Sequence, residues 1–205
     1  MALLQVPRSA KVAETRTKEI EALWADLDSK NLRPEVVHGH LVLKPMPTKK
    51  HNKVVDGLMD QLFSVKRRNG WVFYTNWHIH IPPVRGDRRS PDLILGPEDP
   101  PLYDGDQNQV HGHGVLLAVE VVSASSVEDD YGHKPGEYAK AGVPLYLILD
   151  PLQTPCRVAL LKTPKLVDPI AEAYEYQHEI QVKAGEALDL PDPFGITLDT
   201  AVLFR

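Results

Sequence analysis

Cysteine is almost absent. Cys156 is the only one in 205 residues, so no intrachain disulfide can form and a thiolate zinc cluster has no ligands. No apolar run is long enough to span a bilayer, and the apolar start MALLQV stops at Pro7 and Arg8, short of a secretory h-region. These absences predict an unexported, cytoplasmic protein with no membrane partner. No glycine-rich phosphate loop follows a predicted strand, which argues against a doubly wound nucleotide-binding fold. Positive charge is also scarce: 23 Lys and Arg stand against 28 Asp and Glu, a formal charge of -5. Nucleic-acid binders take most of their affinity from phosphate contacts, so any basic surface here has to be local. The candidates are Lys49, Lys50 and Lys53, then Lys66, Arg67 and Arg68, then Arg85, Arg88 and Arg89; solvated helix faces and turns would explain each run as well.

With 42% hydrophobic and 25% charged residues, the chain has the composition of an ordinary globular protein. Its length suits one domain, divided here into an accessory N-terminal helix over 1–30 and a core domain over 31–205. Ile20, Leu23, Trp24 and Leu27 mark one face of that helix, predicted over 9–28. The alternating run 35–44 predicts a strand, half of a hairpin. Val54, Val55, Leu58, Leu62 and Val65 keep a helical spacing over 48–68, and Asn69-Gly70 ends it. Strands follow at 71–81 and 92–95, then a long loop over 96–114 rich in proline and glycine. The run VLLAVEVV at 115–122 is almost continuously apolar, as in a strand buried on both faces. A helix over 126–141, a strand over 144–150 and antiparallel strands near 156–162 and 172–181 complete the body. The order predicts an α/β (α+β) arrangement, a mixed β-sheet flanked by helices.

Glu120 is the one charge in that buried strand, and a carboxylate there is costly unless it is paired, hydrogen-bonded or metal-bound. Asp92 opens the preceding strand in SPDLIL, so adjacent strands could bring both acids to one end of the sheet. Two oxygen ligands with open positions suit Mg²⁺ or Mn²⁺, which can polarise a phosphoryl oxygen and activate water. Asp92 as a turn residue after proline and Glu120 at a half-solvated edge are the plainer alternatives. Asp130, Lys134 and Tyr138 are spaced by four, which a helix would place on one face, although Pro135 disfavours a helical Lys134. Ser123 and Ser125 suit the end of the strand and the cap of the next helix.

The segments SPDLILG, LLAVEVVSASSVEDDYGHKPGEYAKAGVPLYLILD and GITLDTAVLF, with PEVVHGHLVLKPMPTKKHNKVV upstream, resemble the Uma-two family of restriction endonuclease-like proteins. The likeness runs from about Glu35 to Phe204. It implies a PD-(D/E)XK-type site in which Asp92 and Glu120 bind Mg²⁺ or Mn²⁺ and the chain cuts nucleic acid, DNA above all, as a metal-dependent endonuclease. The lysine usual two residues after the acid would fall at Val122; the resemblance moves it to Lys134. It further implies Glu35 as a third acidic metal ligand and His51 as an additional site residue, with Tyr138 either core or site. A homodimer would suit double-strand cutting, through the strand at 71–81 or the N-terminal helix. Two rival readings stand beside this one. The fold could serve a catalytically inactive binding or regulatory module, or the pairs His38/His40, His78/His80 and His111/His113 could ligate zinc in a hydrolase.

Overall fold

The computed structural model describes residues 8–105 and 108–205, with side chains of the first helix from residue 17 onward. The apolar N-terminal start, residues 1–7, lies outside the described residues. In chain order the elements are α1 (Arg8–Ser29), β1 (Glu35–Val37), β2 (His40–Val42), α2 (Lys49–Asn69), β3 (Trp71–Tyr74), β4 (His78–His80), β5 (Arg88–Arg89), β6 (Leu93–Pro97), β7 (Gln109–His111), β8 (Leu117–Val121), α3 (Lys134–Ala141), β9 (Leu145–Asp150), β10 (Arg157–Asp168), β11 (Ala173–Lys183), β12 (Ala187–Leu190), β13 (Ile196–Asp199) and α4 (Thr200–Leu203). Among the described residues no helix is long and apolar enough to cross a membrane.

A six-stranded mixed sheet, ordered β11-β10-β9-β8-β6-β3, divides the molecule. Only β8 and β9 run parallel within it, joined across α3, and this pair forms its fully buried centre. Strand alternation sorts the side chains into two cores. Leu93, Leu95, Leu117, Val119, Val121, Leu147 and Leu149 face α2, whose Val54, Leu58, Leu62 and Val65 lie on one stripe. Ile94, Ala118, Val122, Tyr146 and Ile148 face the other way, towards Tyr138 and Ala141 of α3 and towards Ile79 and Val110. Those last two belong to a second sheet of five short strands, ordered β2-β1-β5-β4-β7. A mixed sheet flanked by helices is therefore the observed class, with a second sheet that the strand pattern did not announce.

Three local readings change. The 35–44 run is not half of a hairpin but a whole one: His38 (φ 49) and Gly39 (φ 69) both take positive φ, the geometry of the tight two-residue turn that suits strand twist. The 71–81 run is two strands in different sheets, because Thr75–Trp77 break the ladder between β3 and β4. The 96–114 loop contains β7, which pairs in parallel with β4. By contrast α2 starts and stops where its signals lie: Thr48 caps the amide of His51, and Gly70 at φ 68 closes the last turn.

The helix after β8 passes through a π-helical turn, Asp129–His133, before α3. Pro135 lacks an amide and cannot make the ordinary helical bond. The wider turn, in which the Lys134 amide reaches the carbonyl of Asp129, carries the chain past it, and Lys134 stays helical (φ -59, ψ -36). α1 docks through its C-terminal half. Trp24 is buried, donates its indole N–H to the Pro34 carbonyl at 2.9 Å, and lies under the Arg88 guanidinium 4.1 Å from its ring.

Candidate active site

Leu93 pairs with Val119 across the antiparallel β6–β8 ladder, so Asp92, one residue before β6, stands opposite Glu120. The Asp92 carboxylate continues that ladder: its Oδ2 accepts from the Val121 amide at 2.9 Å and lies 2.8 Å from His51 Nε2, at the start of α2. Its Oδ1 lies 3.7 Å from Arg33 Nη1. Burial alone would push Asp92 up, but the His51 hydrogen bond, then Lys44 and the Val121 amide prevail and hold it at about 2. His51 is in turn raised, its burial outweighed by Asp92.

Glu120 is buried on the α3 side of the sheet. Its Oε1 accepts from the Tyr138 hydroxyl at 2.8 Å and lies 2.9 Å from Lys134 Nζ; its Oε2 lies 3.4 Å from Lys44 Nζ. Burial raises Glu120 above the ordinary carboxylate range against the pull of Lys134 and Lys44, and the nearby Asp92 and Asp130 add to the rise. Lys134 is only 1% exposed and also meets Asp130 Oδ1 at 2.6 Å, so Lys134 and Tyr138 reach Glu120 from one side of the helix and Asp130 joins them through Lys134. Its ammonium is raised: burial opposes the charge, and Glu120, Glu35 and Asp130 more than offset it. Tyr138 is fully buried, so it fills the core and binds Glu120 at once. The serines beyond β8 close on themselves: Ser126 Oγ takes the Ser123 amide at 3.0 Å and donates to Asp130 Oδ2 at 2.6 Å.

Glu35 is buried and lines the same cleft. Its Oε1 accepts from the Ser90 amide at 2.8 Å and lies 3.0 Å from Lys44 Nζ, and its Oε2 accepts from Arg89 Nη1 at 3.0 Å. Burial would raise it, yet Lys44, Lys134 and Arg89 bring it well below its ordinary value. Among the described residues no three His, Cys, Asp or Glu side chains form a metal-sized group; Glu35 lines the same cleft as Asp92 and Glu120 and shares Lys44 with Glu120. The histidine pairs build no such group either. His78 is buried against Trp24 and 3.0 Å from Asp28, while His80 stacks on Tyr103 with its Nδ1 at the Asp87 carbonyl.

The carboxylates open on a cleft of about 860 Å³ lined by Arg33, Lys44, Lys50, His51, Ser123 and Lys134 among others, between the β1–β2 hairpin and the start of α2. Lys49, Lys50 and Lys53 are exposed at that start, where the helix dipole is also positive. Lys66, Arg67 and Arg68 sit about 20 Å further along α2 by helical rise. The third basic cluster does not form a surface. Arg88 and Arg89 are 2% and 3% exposed, Arg88 paired with Glu21 and Arg89 with Glu35, Asp129 and Glu137.

Lys44, Arg33 and Arg89 are the site residues that sequence reasoning missed. For Lys44 the relation is readable only from the folded hairpin, where it follows Val42, the cross-strand partner of Glu35, by two residues; read as one strand, 35–44 would put Glu35 and Lys44 on opposite faces.

Residues 19–201 match the model of the Uma2 family, described as "Putative restriction endonuclease". Among solved structures, the chain is similar to a "putative nuclease belonging to DUF820" from Anabaena variabilis ATCC 29413, at 15% identity and a TM-score of 0.61, covering 83% of this chain and 89% of that one. That likeness concerns the fold. No curated protein matches.

Proposed function

Since this chain belongs to the Uma2 family of restriction endonuclease-like proteins, we propose that it hydrolyses phosphodiester bonds in nucleic acid, DNA first, at the Asp92–Glu120 pair with Mg²⁺ or Mn²⁺. The observation that carries this reading is the placement of two carboxylates opposite each other on adjacent strands, at a cleft, with a buried lysine 2.9 Å from one of them. The donor set fits the ion: two hard oxygens and an open cleft suit Mg²⁺, which keeps several of its waters, whereas Zn²⁺ would need three or four protein ligands. When bound, the ion supplies charge neutralisation at the phosphoryl oxygen and an activated water.

The chain's own residues do the rest. The His51 hydrogen bond keeps Asp92 ionised and oriented. Lys134 and Tyr138 fix Glu120 by one oxygen, and the Lys134 charge, which lines the cleft, would offset negative charge developing on a phosphate there. Glu35 acts as the counter-ion that holds Arg89 in place and also pairs with Lys44. Lys49, Lys50 and Lys53 offer phosphate contacts beside the cleft. A second reading, a nucleic-acid-binding module without turnover, draws on the charge of -5 and on a site whose acids are already met by lysines.

The test is cleavage of single- and double-stranded DNA and RNA by wild type, Asp92→Asn and Glu120→Gln, with Mg²⁺ or Mn²⁺. Cleavage is expected only with a divalent ion and is lost in both variants while they remain folded. Equal cleavage by wild type and variants would place the chemistry elsewhere. Binding without cleavage by any of them would favour the module.

A further inference from the structure

We infer that Lys44 is a displaceable counter-ion, neutralising the carboxylates while no divalent ion is bound and released to the substrate phosphate when one is. This rests on reading Asp92 and Glu120 as a metal site. Four cations meet the acids of the cluster, and they differ in how firmly they are held. Lys134 and Arg89 are buried, each with two or more acidic partners. Arg33 spends its guanidinium on Ser90 and Pro91, donating to the Ser90 hydroxyl at 3.2 Å and the Pro91 carbonyl at 2.5 Å. Lys44, 22% exposed and lining the cleft as Arg33 (20%) also does, is the one of the four that meets the second Glu120 oxygen, and that contact is long at 3.4 Å.

Its backbone lies outside the sheet ladders. Lys44 lies past the end of β2 in the irregular segment 43–48, between Leu43 and Pro45, where no sheet ladder ties it down. Its neighbours Leu43 and Met46 are exposed. The ammonium joins three acceptors from separate elements, the Ser90 carbonyl at 2.9 Å, Glu35 at 3.0 Å and Glu120 at 3.4 Å. The other Glu120 oxygen already has Lys134 and Tyr138, so Lys44 holds the one that is left for an ion. A divalent cation at Glu120 would compete for that oxygen and repel the ammonium beside it. Glu35 keeps Arg89 and the Ser90 amide after Lys44 departs, so its charge stays compensated. The freed ammonium remains at the cleft wall as a donor for a phosphate oxygen.

The experiment is Mn²⁺ binding to the full chain, read by electron paramagnetic resonance and calorimetry, for wild type, Lys44→Gln, Lys44→Arg, Asp92→Asn and the double variant Lys44→Gln/Asp92→Asn. Lys44→Gln should bind Mn²⁺ on the order of tenfold more tightly, a coupling of ordinary size for two species competing at one site. Lys44→Arg should not gain, and both proteins carrying Asp92→Asn should lose saturable binding. Equal or weaker binding by Lys44→Gln, with Asp92→Asn still abolishing it, would overturn the role of Lys44 and leave the metal site standing. No saturable binding by wild type or Lys44→Gln would overturn both. A second measurement needs no substitution at Lys44: acylation of lysines in wild type, followed by mass spectrometry, should label Lys44 faster with Mn²⁺ than without, and Asp92→Asn should remove the difference. An unchanged rate in wild type that binds Mn²⁺ would refute displacement.

Discussion

Replacing Lys134 by methionine keeps the aliphatic stem and removes a charge that is 1% exposed, 2.6 Å from Asp130 and 2.9 Å from Glu120. Two buried carboxylates are left without their shared cation, and breaking a buried pair in this way costs about 3–5 kcal/mol. The two acids then respond differently. Asp130 keeps the Ser126 hydroxyl at 2.6 Å, whereas Glu120 already lies above its ordinary value and is the group that takes up a proton. In the variant the folded state therefore binds a proton that the unfolded chain, with Glu120 near its ordinary value of 4.5, has released. Stability of the variant must fall as pH rises above that value until Glu120 in the folded state ionises. Urea denaturation followed by circular dichroism should give a loss of about 3–5 kcal/mol at pH 8 and a loss smaller by about 1 kcal/mol or more at pH 5.5. Adding Glu120→Gln should recover part of the loss at pH 8, because it removes one of the stranded charges. A Lys134→Met protein within about 1 kcal/mol of wild type at both pH values would show that Lys134 is not the counter-ion of a buried pair.

Other expectations follow from single features. Asp92 is lowered from 3.8 to about 2, so its ionised form stabilises the fold above about pH 4, and that contribution, about 2 kcal/mol, is lost as pH falls through 2; Asp92→Asn should flatten this acid limb in denaturation curves, and an identical limb would contradict the pairing with His51. Trp24→Ala should cost about 3–5 kcal/mol by chemical denaturation, since the ring is 5% exposed beneath Arg88 and beside His78; a negligible loss would mean that α1 is not docked. At Gly112 an added Cβ would lie 2.5 Å from the Ala141 carbonyl oxygen, so Gly112→Ala should lower the melting temperature, while Gly132→Ala, with nothing within 4 Å, should not.

Much of the scaffold was legible along the chain, because its signals are local. The 3.6-residue spacing of Val54, Leu58, Leu62 and Val65 describes α2 without reference to its partner, and Thr48 and Gly70 bound it by chemistry within one turn. The apolar run around Glu120 announced a strand buried on both faces, and a lone acid within it marked a candidate site. The spacing of Asp130, Lys134 and Tyr138 pointed to one helical face, and the π-helical turn around Pro135 changed the path without moving them off it.

What the pattern could not carry was the fate of the cations. Arg88 and Arg89 read as a basic turn, yet both are buried, because Glu21 of α1 and Glu35, Asp129 and Glu137 close around them. Lys44 read as a strand-end lysine and meets Glu120, 76 residues away. The second sheet was equally hidden, since strands of two or three residues have too little length to show alternation. Periodicity and capping are set by neighbours within one turn or one pleat, so the sequence by itself determined α1, α2, α3 and the central strands and singled out the two candidate acids. Whether a charge is solvated or buried depends on partners that only the folded chain brings together, so the tertiary structure alone decided that Arg88, Arg89 and Lys134 are buried against acids while Lys44 stays part-exposed at the cleft.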